Sequence, residues 1–375
     1  MKAITSSQGL RVLGALVLVA VVVLLLSIQL NQFRDYQIAE IATYVTAVAG
    51  LTVLTGFSGQ VSLGHGAFMA IGAYTTALLL IHLNWPFYLV LIISGAVSAA
   101  AGAIVGVAAA RLHGPYLAGA TLLLGVALPA VAEAFNGAFG GDQGLDIIFN
   151  APSSFGPNFP LTRWQAWICT LVALVVLLML ANLARSRVGR NWRAVRDNEV
   201  AAALAGVNVA WARILAFIVS AACAGLAGSL LTITTEQAEP GAFTITLSIA
   251  LLTGAVIGGL GSLTGAIWGS LVVVLVPTFA TDVATSHGLS TSVAANIPVM
   301  AYGAILILVM LIFPQGIQGG LRWLLGLFGI PSARTRRPAA STPEEPTSQH
   351  EFLLVREGNP SGSNNPSGSN KKEDT

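Results

Sequence analysis

The stretch IATYVTAVAGLTVLTGFSGQVSLGHGAFMAIGAYTTALLLIHL, residues 41–83, decides the fold. It joins two apolar runs, 38–55 and 67–83, across the polar, glycine-broken segment GFSGQVSLGHG at 56–66. Each run is close to the ~20 residues that a helix needs to cross the hydrocarbon core of a bilayer. In hydrocarbon only helices and closed barrels satisfy every backbone group, and these runs far exceed the ~9–11 residues of a barrel strand. The stretch therefore reads as two membrane helices with a broken segment between them.

Outward from it the pattern repeats. Apolar runs at 12–30, 87–110, 116–135, 164–184, 211–235, 243–258, 265–281 and 298–313 bring the total to about ten, the eighth being short. The expected fold is all-α, a polytopic integral membrane protein with about ten transmembrane helices. Composition agrees: 55% of the 375 residues are hydrophobic and 9% are charged, against roughly a quarter charged in soluble domains. The 40 glycines fit as well, since glycine is commoner in membrane helices than in soluble ones. A net charge of +2 gives no basic surface for nucleic acid. Cys169 and Cys223 both fall inside apolar runs and read as small buried hydrophobes.

The ends differ from the middle. Lys2 and Arg11 before the first run imitate a secretory signal, but SIQLNQFRDYQ at 27–37 offers no small-x-small cleavage site, so the run reads as an uncleaved first span. From Arg334 onward the chain is rich in Pro, Ser, Glu and Asn, and NPSGSN occurs twice in a row at 359–370. Such a segment buries too little apolar area to offset its ordering entropy, and a disordered tail is expected. The organisation is then 1–37 as N-terminal segment and first span, 38–319 as the transmembrane core, and 320–375 as a largely disordered tail.

Charge sets the orientation. With the N-terminus in the cytoplasm, the inner segments carry Lys2, Arg11, Arg111, Arg185, Arg187, Arg190, Arg193, Arg196, Arg213, Arg322, Arg334, Arg336 and Arg337, and the outer segments only Arg34 and Arg163. The outer loops hold Asp142, Asp146, Glu236, Glu239 and Asp282 instead. This is the asymmetry of the positive-inside rule, and it places both termini inside a multi-pass protein of the inner (plasma) membrane.

No catalytic constellation is visible. The lysines are Lys2, Lys371 and Lys372, none after a glycine, so the phosphate-cradling P-loop is missing. There is no HExxH, GxSxG or Cys/His metal spacing, and the only carboxylates within the spans are Glu40 and Glu133. An intramembrane enzyme and an ion-coupled secondary transporter both need convergent or paired ionisable groups at membrane depth. Catalytic residues, metal ligands and a cofactor bound by this chain are therefore not expected.

Two segments remain as candidates. In the basic loop 185–213, Trp192, Val195, Val200, Ala203 and Leu204 recur at three- and four-residue steps, as in a short amphipathic helix. Asp197 or Asn198 can cap it, Glu199 suits its first turn, and Gly206 suits its end. Two readings stand side by side: a basic anchor between spans, or a small helix that needs a partner's groove. In 56–66, Ser58, Gln60, Ser62 and His65 offer polar groups on a broken segment, which either lines a solute path or is a plain loop. A third feature, Gly254/Gly258, Gly261/Gly265 and Gly265/Gly269, is spacing for close helix packing.

Taken in order, six stretches resemble the branched-chain amino acid ABC transporter permeases, the LivM-type subunit in particular. They are GFSGQVSLGHGAFMAIGAYTTALL at 56–79, RLHGPYLAGATLLLG at 111–125, GGDQGL at 140–145, SRVGRNWRAVRDNEVAAALAGV at 186–207, GGLGSLTGAIWGSLVVVLVP at 258–277 and ILVMLIFPQGIQG at 307–319. The resemblance implies that Glu199, Ala201, Ala202 and Gly206, with Arg196 beside them, form the segment that docks on an ATPase. It implies that ATP and Mg²⁺ are held by two separate ATPase subunits. A related second permease and an extracytoplasmic solute-binding protein complete the assembly. The chain departs from the family at GPYLAGA, 114–120, where many relatives carry a larger aromatic, and in its acid-rich tail. Related systems carry urea, short amides and other amino acids on much the same scaffold.

Overall fold

The computed structural model describes residues 31–286 apart from 113, 153–155, 157 and 158, together with 14, 27, 300, 303, 304, 307, 308, 311 and 316–320. The expected first span, the expected tenth span and the tail lie almost wholly outside the described residues. The other eight apolar runs all fall on helices, and the described chain is overwhelmingly helical. It is a polytopic membrane protein: six helices are long and apolar enough to cross a membrane, and two shorter apolar ones accompany them.

Helix α1 spans Gln32–Leu51 and passes directly into a π-helical turn, Thr52–Phe57. Helices α2 (His65–Leu83), α3 (Phe87–Ala109) and α4 (Pro115–Ala134) follow, then the single turn α5 (Asn136–Phe139). Helix α6 (Leu161–Arg185) leads into two short helices, α7 (Arg187–Asp197) and α8 (Glu199–Leu204). The long helix α9 (Val209–Thr235) and the pair α10 (Ile245–Gly258) and α11 (Leu263–Ser286) complete the set. The eighth expected run is α10, only 14 residues and thus about 21 Å long. That is short of the ~30 Å hydrocarbon core.

One feature departs from the all-α expectation. Strands β1 (Leu145–Asp146) and β2 (Gln237–Ala238) pair antiparallel, Leu145 opposite Ala238. Ile147 N donates to Glu236 O at 2.9 Å and Gln237 Nε2 to Gln143 O at 2.9 Å. The pair ties the segment after α5 to the end of α9. Gly144, at φ +71°, sits so close to Ala238 and Glu239 that a side chain there would overlap their backbone.

Helix α9 is the centre of the bundle and packs on α1, α2 and α3. In lipid, helices associate through close packing and interhelical hydrogen bonds rather than through hydrophobic driving force. The buried face of α9 supplies both, because Ala221, Ala224, Gly225 and Gly228 are small. A Cβ on Gly72 of α2 would fall on the backbone of Gly225, and one on Gly228 would fall on the backbone of Met69. Beside this contact, Thr76 Oγ1 lies 2.8 Å from Ser94 Oγ and 2.7 Å from Ser229 Oγ, so three hydroxyls join α2, α3 and α9. Gln165 Nε2 donates to Ile233 O at 2.8 Å and fastens α6 to the same helix.

The later glycines pack as their spacing suggests. Gly254 meets Gly269 and Gly258 meets Gly265, backbone against backbone, between α10 and α11.

Gly72→Val is expected to destabilise the bundle by about 1–3 kcal/mol, the ordinary cost of overpacking. Gly119, exposed on α4 with open space around its Cβ position, gives the control. Thermal unfolding in detergent should drop by several degrees for Gly72→Val and much less for Gly119→Val; equal shifts would refute the packing account.

Candidate functional site

The loop between α6 and α9 is built by caps. Ser186 Oγ accepts from Val188 N at 3.1 Å and starts α7. Trp192 of α7 is fully buried, and its Nε1 donates to Ala212 O at 2.8 Å. Arg193 Nη2 donates to Ala184 O at 3.0 Å. Helix α7 is thus bound to the end of α6 and the start of α9.

The expected single amphipathic helix is two helices. Asn198 is extended, with ψ 108°, and its side chain accepts from Ala201 N at 2.9 Å to start α8. The cap is Asn198 and not Asp197, whose carboxylate instead accepts from Arg196 Nη2 at 2.8 Å. At the far end Gly206 N donates to Ala203 O and Val207 N to Ala202 O, each at 3.0 Å. With Gly206 at φ +82°, this is a Schellman ending. Asn208 Oδ1 then accepts from Trp211 N at 2.9 Å and opens α9.

The apolar residues of the two helices face differently. Trp192 and Val195 on α7 are buried, whereas Val200 and Leu204 on α8 are 71% and 86% exposed. Among the expected docking residues, Ala202 is buried while Ala201 and Gly206 are exposed. Glu199 has a partner inside the chain: Arg213 Nη2 reaches its Oε2 at 2.6 Å.

The structure brings the second candidate segment to this same place. Arg196 Nη1 donates to Gly56 O at 2.6 Å, at the end of the π-helical turn. Gln60 Nε2 donates to Ser58 Oγ at 2.7 Å and approaches Arg213 O at 3.5 Å. Ser58, Gln60, Ser62 and His65 are all buried. His65 Nε2 meets Ala47 O at 3.0 Å, and because a carbonyl only accepts, this nitrogen carries the proton. His65 therefore clamps α2 to α1. None of the four lines the cavity of about 440 Å³ between α3 and α6 or the one of about 240 Å³ between α2 and α4.

Sequence reasoning singled out Arg196 only through the family resemblance and did not distinguish Arg213 from the other arginines of the loop, because a basic loop predicts all of them equally. Trp192 carried the one usable signal, a tryptophan among charges.

The model of the family described as branched-chain amino acid transport system / permease component matches residues 34–314. The high-affinity branched-chain amino acid transport system permease protein LivM of Salmonella typhimurium is 33% identical over 255 residues, covering 62% of this chain and 60% of the relative. The LivH protein of Escherichia coli K12 is 28% identical over 298 residues, covering 74% and 92%. The chain thus matches only about 60% of the length of its LivM relative. A solved structure of PsaBC from Streptococcus pneumoniae in complex with Fab aligns over 79% of this chain and 96% of that chain at 16% identity, with a TM-score of 0.41.

Gly206 has open space around it, so a substitution there acts through backbone strain alone. Gly206→Val is expected to cost about 1–3 kcal/mol locally, with the bundle untouched. Hydrogen exchange should speed up across 199–207 while the melting temperature holds; unchanged protection there would refute the Schellman ending.

Proposed function

This chain belongs to the branched-chain amino acid transport system permease family, and from that premise we propose that it is the permease subunit of an ABC importer for leucine, isoleucine and valine. Its relatives are named for that transport. In this reading the chain binds no cofactor. Two ATPase subunits hold ATP and Mg²⁺, an extracytoplasmic solute-binding protein delivers the amino acid, and a related permease forms the other half of the pore. The arginine asymmetry supports about ten spans in the inner membrane with both termini in the cytoplasm.

The observation that carries the reading is α8. A six-residue helix is too short to persist unaided, yet this one is capped at both ends and held to α9 by Glu199. It presents Val200 and Leu204 one turn apart, with Trp211 58% exposed nearby. An apolar helix face offered outside the bundle fits a partner's groove. Glu199, Ala202 and Gly206 shape and place the helix, while Val200, Ala201 and Leu204 form the face that docks.

Motion has a route inward from there. α7 is bound to two spans and moves with them as a rigid body. Arg196 links it to Gly56, where the π-helical turn gives way to the polar segment at Ser58, Gln60, Ser62 and His65. That segment is proposed as the inner part of the solute path, displaced when the ATPases close.

Val200→Asp and Leu204→Asp should each leave the protein in the membrane but lower co-purification of the ATPases about tenfold, the loss expected for an apolar hot spot. Glu199→Ala should weaken binding less, and Arg187→Ala should change little. Uptake of leucine, isoleucine and valine should fall in step. Undiminished ATPase capture in both aspartate variants would overturn the docking role. A reconstituted complex that imports urea or short amides instead would overturn the substrate.

A further inference from the structure

The cavity of about 240 Å³ between α2 and α4 holds a polar group that the bundle leaves unused. Its walls include Leu78 from α2, Leu128, Val131 and Ala132 from α4, and Phe139 from α5. Tyr74 also lines it, with its ring edge-on to Phe139 at 5.2 Å between centroids. Tyr74 is only 5% exposed, and its hydroxyl has no hydrogen-bond partner among the described residues.

This hydroxyl differs from those around it. Thr75 donates to Ile71 O at 2.6 Å, and Thr76 is engaged by Gly72, Ser94 and Ser229. Buried tyrosine hydroxyls ordinarily find a partner, and one left alone beside a cavity calls for an account. The cavity falls below the ~300–1,000 Å³ of pockets for drug-sized ligands. It therefore suits a solute of a few heavy atoms, with an aliphatic part for the walls and a polar group for the hydroxyl.

We infer that this cavity is a subsite for the branched side chain of the transported amino acid, with the Tyr74 hydroxyl hydrogen-bonding the charged backbone end of that solute. The inference rests on the permease reading above. Helix α4 gives the site a movable wall. It is the least buried of the six long apolar helices, and Pro129 sits inside it between two lining residues. Proline cannot donate to the carbonyl four residues earlier, which leaves a bend point beside the cavity. The wall is also connected to the loop. Leu63 N donates to Thr121 Oγ1 of α4 at 3.0 Å, and Leu63 lies on the segment that begins at Gly56, the acceptor of Arg196. Displacing α7 pulls on α4 through that segment.

The test uses the assembled transporter in proteoliposomes, with initial uptake of leucine and valine as the readout. Ala132→Leu narrows the cavity and Leu128→Ala widens it. The leucine-to-valine uptake ratio should fall in the first and rise in the second, by up to about tenfold, the scale of one methylene in an apolar pocket. Tyr74→Phe should raise the KM for both solutes about tenfold, the scale of a hydrogen bond to a charged group. Its assembly and melting temperature should not change, because the hydroxyl has no bond among the described residues to lose. Tyr74→Phe alone decides the matter if a cavity variant fails to assemble. An unchanged KM in Tyr74→Phe, or ratios unmoved in both cavity variants, overturns the subsite and leaves the permease reading standing. A wild-type transporter that takes up neither amino acid overturns that reading and the subsite with it.

Discussion

Helix α9 can be approached to backbone distance, and the rest of the structure hangs on that. Lipid tails are as apolar as leucine, so membrane helices gain nothing from merely being hydrophobic. What holds α2 and α3 to α9 is the absence of side chains at Gly225 and Gly228, with the hydroxyls of Thr76, Ser94 and Ser229 beside them, while α1 meets the same helix where Gly50 lies against Ser220 and Cys223. The loop between α6 and α9 inherits its position from the same helix. Trp192 and Glu199 both anchor to the first residues of α9, at Ala212 and Arg213.

The loop divides its labour by burial. On α7 the apolar residues turn inward and fix the helix to the bundle; on α8 they turn outward. Two caps, one Schellman ending and one ion pair achieve this in a stretch too short to be helical alone. The link from Arg196 to Gly56 then falls at the π-helical turn, where the regular hydrogen-bond ladder of α1 has already been disturbed. π-turns recur at functional sites for that reason.

At the bundle end away from this loop, different chemistry fastens the same helices. The buried carboxylate of Asp35, in the first turn of α1, faces Arg163 of α6 at 3.6 Å. The two-residue β pair joins the segment after α5 to the end of α9. Between the two ends, the hydroxyl of Tyr74 has no partner among the described residues and lies beside a cavity walled by α4, the least buried of the six long apolar helices.

By itself the sequence determined the class of protein and the positions of eight helices. Run length and charge are properties of the chain alone, and the bilayer's thickness and electrostatics act on them directly. It also marked out two candidate segments, 56–66 and 185–213, through glycine breaks and capping residues, which are local signals. Only the tertiary structure decided that these segments meet, that Glu199 pairs with Arg213 and that Arg196 reaches Gly56. It alone turned Val200 and Leu204 outward while burying Trp192. The reason is sequence separation. Gly56 and Arg196 lie 140 residues apart, and no periodicity or propensity acts over that distance. Their meeting is set by how α1, α6 and α9 pack.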